Sequence, residues 1–260
     1  MNALKQKLRN CEFVKGMHTS LSDASVTELC GMIGFDFIWI DTEHSAIDYY
    51  TLETHLMAAK AAGTKSLVRI PWNDPILAKR VLEMGPDGII IPVVNTPEEL
   101  DKAMKSTLYP PNGTRGFGPV RAADYGITDA NDFITKKSLD LIRCVQIESY
   151  VAVENIEEMA KNPWIDCFIF GPCDLSGSIN ELNQVFEPHT QNLIRQAIEI
   201  LKKTGKSIGI STGSDDPTVL KAWYDMGINM ISAGTDYLHI ANTSKKVLVA
   251  LQELEKGANR

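Results

Sequence analysis

The chain has no CxxC pair: its five cysteines, Cys11, Cys30, Cys144, Cys167 and Cys173, are odd in number and scattered. That pattern argues against zinc knuckles and against an extracellular disulfide framework, so a reduced, cytoplasmic setting is expected. Basic residues are not in excess either, with 26 Lys and Arg against 33 Asp and Glu and a formal net charge of −7. No run of them is long enough to follow a phosphate backbone, which removes nucleic acid from the expected partners. The N-terminal "MNALKQKLRNCEFVKGM" carries charges every few residues and has no apolar core. It reads as a helix opening the fold, and neither a signal peptide nor a membrane anchor is expected.

What is present is an alternation. Short apolar runs rich in β-branched residues recur as "KGMHTSL", "FDFIWID", "KSLVRI", "DGIIIP", "LIRCVQIE", "DCFIFGP", "KSIGIS" and "INMISAG". Between them, segments such as "YYTLETHLMAAKAAG", "DPILAKRVLEMG" and "TPEELDKAMKS" have apolar residues at three and four spacing, the helical period. Strands with no wet face belong in a parallel sheet covered by helices, and eight of them favour closure over an open sheet. A doubly wound dinucleotide fold would want GxGxxG after the first strand, and "GMHTSLSD" lacks it. The sequence therefore predicts an α/β protein, a TIM-type (β/α)8 barrel forming one domain over residues 1–260, a length such a barrel fills at about 250 residues.

In a barrel of this kind chemistry collects at the C-terminal strand ends. Strand two runs into "IWIDTEHSAID", placing Asp41, Glu43 and His44 together; strand three ends at Arg69, strand five at Gln146 and Glu148, and Asp174 follows strand six. Glu148 and Asp174, from neighbouring strands, suit a hard divalent cation such as Mg²⁺, Mn²⁺ or Co²⁺ shared with waters. Taken singly, each is equally read as a solvated loop acid, and Asp174 as a helix cap. Arg69 closes an apolar strand, where an always-charged fork suits a carboxylate or a developing enolate. His44 adjoins the acid cluster, and Asp41 three residues earlier is placed to fix its tautomer. His18, at the end of strand one, could also face the mouth, but it is read as a buried, satisfied histidine, and His55, His189 and His239 as ordinary helix residues. No lysine stands at the mouth, since Lys65 and Lys206 open their strands, so a Schiff-base mechanism has no nucleophile. Gly213, Ser214, Gly234 and Thr235 form a generic anion site at two helix starts. The irregular segment 108–128, with three prolines and four glycines, is read as a binding loop or a surface insertion.

Together "DTEH", "VRIPWNDP", "YPPNGTRGFGP", "QIES" and "GPCDLSGS" resemble the HpcH/HpaI family of metal-dependent pyruvate aldolases over about residues 15–240. The resemblance implies a class II aldolase that splits 4-hydroxy-2-oxo acids into pyruvate and an aldehyde, with a divalent metal and no organic cofactor. It assigns the metal to Glu148 and Asp174, and pyruvate and enolate stabilisation to Arg69. It makes His44 the base with Asp41 as its orienter, and places Gln146, Pro172 and Cys173 beside the substrate. It further implies "GTRGFG" shaping the mouth, contributions from Glu83 and Arg115 of a second subunit, and a homohexamer built as a trimer of dimers. In that assembly the helix "DYLHIANTSKKVLVALQELEK" would be exchanged between subunits. Glu83 stands where an aspartate is expected and strand seven ends in the polar "GISTGSD", two departures that bear on the aldehyde. The alternatives are a related lyase or decarboxylase acting on oxaloacetate or an acyl-CoA thioester, and a non-catalytic keto-acid-binding homologue.

Overall fold

A parallel strand packed on both faces must be apolar throughout, and the eight runs fold accordingly. The computed structural model describes residues 2–258. Within them β1 (Val14–Thr19), β2 (Phe37–Asp41), β3 (Lys65–Arg69), β4 (Gly88–Ile91), β5 (Ile142–Ile147), β6 (Cys167–Phe170), β7 (Ser207–Thr212) and β8 (Met230–Thr235) close in chain order into a parallel barrel. This is the predicted TIM-type architecture. The helices start where short polar side chains can take their free N–H groups: Asp23, Asp48, Asp74, Thr96 and Asp216 each cap one. Gly34, Gly63 and Gly227 end three of them in the left-handed conformation that only glycine adopts without strain.

Alternation divides the barrel wall into two cores. Outward residues such as Ile38, Ile40, Val68 and Phe168 pack under the helices. Inward residues, among them Phe37, Trp39, Leu67, Ile90, Cys144 and Ile169, fill the bore together with Leu4 and Leu8. Those two leucines come from the helix Ala3–Arg9, the opening helix the sequence suggests, which is found to plug the N-terminal end of the barrel. Lys5 of the same helix is buried and holds the Leu139 and Leu141 carbonyls at 3.0 and 2.5 Å and Asp166 at 3.1 Å. The bore is filled by pairing large with small: a Cβ on Gly16 would stand 2.1 Å from the Phe37 ring, so glycine in β1 is what lets Phe37 cross the axis.

The last helix, Asp236–Ala258, departs from the usual eighth barrel helix. Asp236 is buried and accepts from the backbone N–H groups of Ser20 and Leu21, clipping the helix start to the loop after β1. From Asn242 to Lys256 every residue is exposed, including Val247, Leu248, Leu251 and Leu254. The flank it leaves is an open apolar groove of about 680 Å³ lined by Phe13, Ile33, Phe35, Leu220 and Tyr224. Among the described residues, no helix is long and apolar enough to cross a membrane.

Candidate active site

Strand register sets the site. Asp41 and Arg69 are partners across β2 and β3, so their side chains leave the same rim side by side. Arg69 forks onto Asp41, with Nε 2.9 Å from Oδ1 and Nη2 2.6 Å from Oδ2. Its Nη1 lies 3.0 Å from Glu43 Oε2 as an ion pair without hydrogen-bond geometry. Trp39, one inward position below Asp41, provides the floor, and the guanidinium carbon sits 5.3 Å from its ring centre.

His18 also belongs to this rim, against the expectation of a merely satisfied core histidine. It pairs with Trp39 across β1 and β2, stacks on that ring at 5.3 Å, and reaches Asp41 Oδ2 with Nε2 at 3.1 Å. On its far side Nδ1 lies 3.4 Å from Ser211 Oγ of β7. Burial alone would raise the Asp41 carboxyl, but hydrogen bonds from His18 and Arg69 and the charge of Arg69 outweigh it and hold Asp41 well below the usual carboxylate range.

The predicted service of Asp41 to His44 is not met. Both oxygens of Asp41 are committed to Arg69 and His18, and only the backbone N–H of His44 approaches it, at 3.4 Å. The His44 ring is instead exposed, with Nε2 3.8 Å from Glu43 Oε2. Glu43 is pushed up to about 6, first by burial and then by Asp41 and Asp174, against the pull of Arg69.

Across the mouth, Glu148 accepts from Gln146 Nε2 at 2.7 Å and from the Val93 N–H at 3.1 Å. The two-residue alternation that put Gln146 and Glu148 on one side is therefore met. Space for the carboxylate comes from Gly171, where a Cβ would lie 2.7 Å from Glu148 Oε1. Burial lifts Glu148 to about 7, and the nearby charges of Asp174 and Glu43 add to the rise. Asp174 sits in the first turn of the helix Pro172–Gly177, behind buried Pro172 and exposed Cys173, whose thiol is pushed up by burial and by Asp174.

Other expectations sort by which end of the barrel they occupy. Lys65 pairs with Asp87 at 2.9 Å and Lys206 holds the Asn162 and Ile165 carbonyls, both at the N-terminal end, as predicted. "GTRGFG" does not shape the mouth of its own chain. Arg115 pairs with Glu83 at 3.1 Å and lines a cavity of about 330 Å³ with Lys65, Asp87 and Leu141, because the loop runs from a helix end to the start of β5 on that face. Near the expected anion site the protein's own acids cap the helix starts, Asp216 accepting from the Thr218 N–H and Asp236 from the Tyr237 N–H, and the Ser214 N–H donates to Thr212 Oγ1. Ser211 and Trp39 are the site residues the sequence reading missed, while His18 was seen as able to face the mouth but read as a buried, satisfied histidine; stepping along β1 by two from Gly16 puts it on the inward face.

The family model for HpcH/HpaI aldolase/citrate lyase matches residues 15–243. The chain is 33% identical over 233 residues to the 2-dehydro-3,6-dideoxy-6-sulfogluconate aldolase of Pseudomonas putida, covering 89% of each. It is 32% identical over 235 residues to the 5-keto-4-deoxy-D-glucarate aldolase of Shigella boydii, covering 90% of each. Its fold superposes with a TM-score of 0.91 on an HpcH/HpaI aldolase/citrate lyase family protein from Burkholderia cenocepacia, at 28% identity and covering 97% of this chain and 100% of that one. A barrel whose charged mouth is built on Asp41, Arg69, Glu148 and Asp174 thus comes with a family: the chain belongs to the HpcH/HpaI aldolase/citrate lyase family and is a carbon–carbon lyase.

Proposed function

We propose that this chain is a single-domain, divalent-metal-dependent aldolase that reversibly cleaves a 4-hydroxy-2-oxo acid into pyruvate and an aldehyde. The observation that carries the reading is Glu148, a half-buried carboxylate whose partners are the Gln146 amide and the Val93 N–H, with the charges of Asp174 and Glu43 near enough to push it up further. A cation relieves such a site, whereas a merely structural acid would have found a positive partner. Among the described residues no three His, Cys, Asp or Glu side chains close into a metal cage, so the donor set is Glu148 and Asp174 completed by water. Gln146 Oε1 is buried without a partner and fits as an acceptor for such a water. When bound, Mg²⁺, Mn²⁺ or Co²⁺ supplies Lewis-acid stabilisation of negative charge on the 2-oxo group.

The protein's own groups do the rest. Arg69 spends one edge on Asp41 and keeps donors for the substrate's anionic oxygen, in a position fixed before substrate arrives. The exposed imidazole of His44 takes the proton from the C4 hydroxyl, and Glu43, whose Oε2 lies 3.8 Å from its Nε2, rather than Asp41 is the acid beside it. The C3–C4 bond then breaks, its electron pair passes into the 2-oxo group, and a proton delivered to C3 yields pyruvate. The relatives named above act on sugar-acid derivatives, and a 2-oxo acid of that class is the proposed substrate.

The assembly we infer is a homohexamer with the helix Asp236–Ala258 exchanged between subunits. Support comes from its exposed leucines and from the uncovered groove beside β8 and β1. In that assembly Glu83 Oε2 and Arg115 Nε, which lie away from this groove and have no hydrogen-bond partner in their own barrel, would serve a neighbour's mouth. Light scattering after size exclusion should give the mass of six chains, and Leu248→Glu with Leu251→Glu should lower it; a monomeric parent would refute the exchange.

The function is tested without knowing the aldehyde. Pyruvate methyl protons should exchange in D₂O, followed by NMR, when metal-stripped protein is given Mg²⁺, Mn²⁺ or Co²⁺, and Glu148→Ala should abolish the exchange. No exchange with any of the three metals would sink the proposal.

A further inference from the structure

We propose that His18 is a positioning residue for Arg69, acting through Asp41, with Ser211 as the partner of its other ring nitrogen. The inference rests on the role given to Arg69 above.

The chain of contacts runs over four strands. Ser211 of β7 meets His18 of β1 at 3.4 Å, His18 meets Asp41 of β2 at 3.1 Å, and Asp41 meets Arg69 of β3 at 2.6 Å through the same oxygen, Oδ2. The other oxygen, Oδ1, takes Arg69 Nε at 2.9 Å and the backbone N–H of Glu43 at 3.0 Å. His18 is thus the only donor to Oδ2, among the described residues, that does not come from Arg69 itself. Without it, the partners of Asp41 other than Arg69 all lie on the Oδ1 side. The carboxylate would then be free to turn toward the loop at Glu43, taking the guanidinium fork with it.

The tautomer follows from the partners. Asp41 is ionised and can only accept, so the ring must carry hydrogen on Nε2. The bare Nδ1 then accepts from the Ser211 hydroxyl, which is free to rotate to donate. Trp39 holds the ring plane, lying 16° from parallel beneath it. Packing on Trp39 asks only for a flat ring; the donor on Nε2 is what Asp41 requires. A histidine at this point therefore serves orientation rather than filling, in the way that a group behind a ligand tunes it.

The test uses the whole enzyme with saturating Mn²⁺ or Mg²⁺ and pyruvate methyl exchange as the readout. His18→Phe keeps the flat ring and should slow exchange by about 10- to 100-fold, with a raised KM for pyruvate. His18→Gln restores an N–H donor and should recover most of the rate, a rescue that a filling role does not produce. Wild-type rates in His18→Phe overturn the proposal. In ¹⁵N-labelled wild-type protein the His18 ring should carry its proton on Nε2, and Ser211→Ala should loosen that preference. A proton on Nδ1 alone overturns the proposal whether or not the variants fold. Absence of exchange by the wild type would instead refute the aldolase reading, leaving the ring measurement to judge His18.

Discussion

Replacing Arg69 with alanine is expected to remove most of the activity and much of the stability together. The guanidinium is nine-tenths buried, makes both fork bonds to Asp41 and faces Glu43, so its loss leaves two acids without their cation. An uncompensated buried carboxylate typically costs about 3–5 kcal/mol, and loss of a preorganised donor to a developing oxyanion costs about 10²- to 10³-fold in rate. Arg69→Lys separates the two effects. The ammonium keeps the charge but cannot span both oxygens of Asp41, so stability should return further than turnover. The sign of the acid response follows from Asp41, whose carboxyl lies below its ordinary value of 3.8 in the folded protein. Its contribution is complete above that ordinary value and is lost as pH falls through the depressed one. In Arg69→Ala the depression shrinks, so denaturant melts between pH 2 and 5 should show a smaller loss of stability toward acid than in the wild type. Near-normal turnover of Arg69→Ala in a steady-state pyruvate assay would remove the arginine from the mechanism.

The same residues show what a sequence can reveal about such a site. Strands β2 and β3 are legible because continuous burial demands continuous apolarity, and the charges that follow them stand out for the same reason. Asp41, Arg69, Gln146, Glu148 and Asp174 were all found by asking which polar residues end a buried run. Partnership was harder. Asp41 and His44 are three residues apart and look like a pair, yet Asp41 turns to Arg69 and His18, which are 28 and 23 positions away, because parallel register brings strand ends together across the rim. His18 was seen as able to face the mouth but read as a buried, satisfied histidine, because nothing in the local pattern of β1 tells that its partner is Asp41 of the next strand. The segment 108–128 was recognised as irregular, but its end of the barrel was not, since composition carries no record of which face a loop leaves. Local pattern thus gave the elements and the reactive groups, while the contacts among those groups depended on closure of the barrel.

The glutamine variant of Glu148 should be a better-folded and nearly inactive protein. In the metal-free wild type Glu148 sits at about 7 against an ordinary value of 4.5. Between those two values the folded state holds a proton that the unfolded chain has released, so stability falls as pH rises through that window. Glu43, raised to about 6 from 4.5, adds a smaller slope of the same sign. Converted at 1.36 kcal/mol per unit, the Glu148 contribution is at most on the order of 3 kcal/mol, fully expressed above pH 7. Glu148→Gln removes this cost. The amide oxygen can still accept from the Val93 N–H, and once the Gln146 amide turns over, the new NH₂ can donate to Gln146 Oε1, which has no partner in the wild type. Metal-free Glu148→Gln at pH 8 should therefore melt several degrees above metal-free wild type, at about 2–4 °C per kcal/mol for a chain of this size. The gap should close toward pH 4.5, where the wild-type carboxyl is protonated in both states. Adding Mn²⁺ should raise the wild-type melting temperature and leave that of the variant almost unchanged, because the cation relieves a charge the variant no longer has. Turnover should fall by more than the roughly 10- to 100-fold seen for residues one step removed from a metal. Equal melting of the two metal-free proteins at pH 8 would mean that Glu148 is not strained in the folded state; an undiminished Mn²⁺ response in the variant would mean that the cation is held elsewhere.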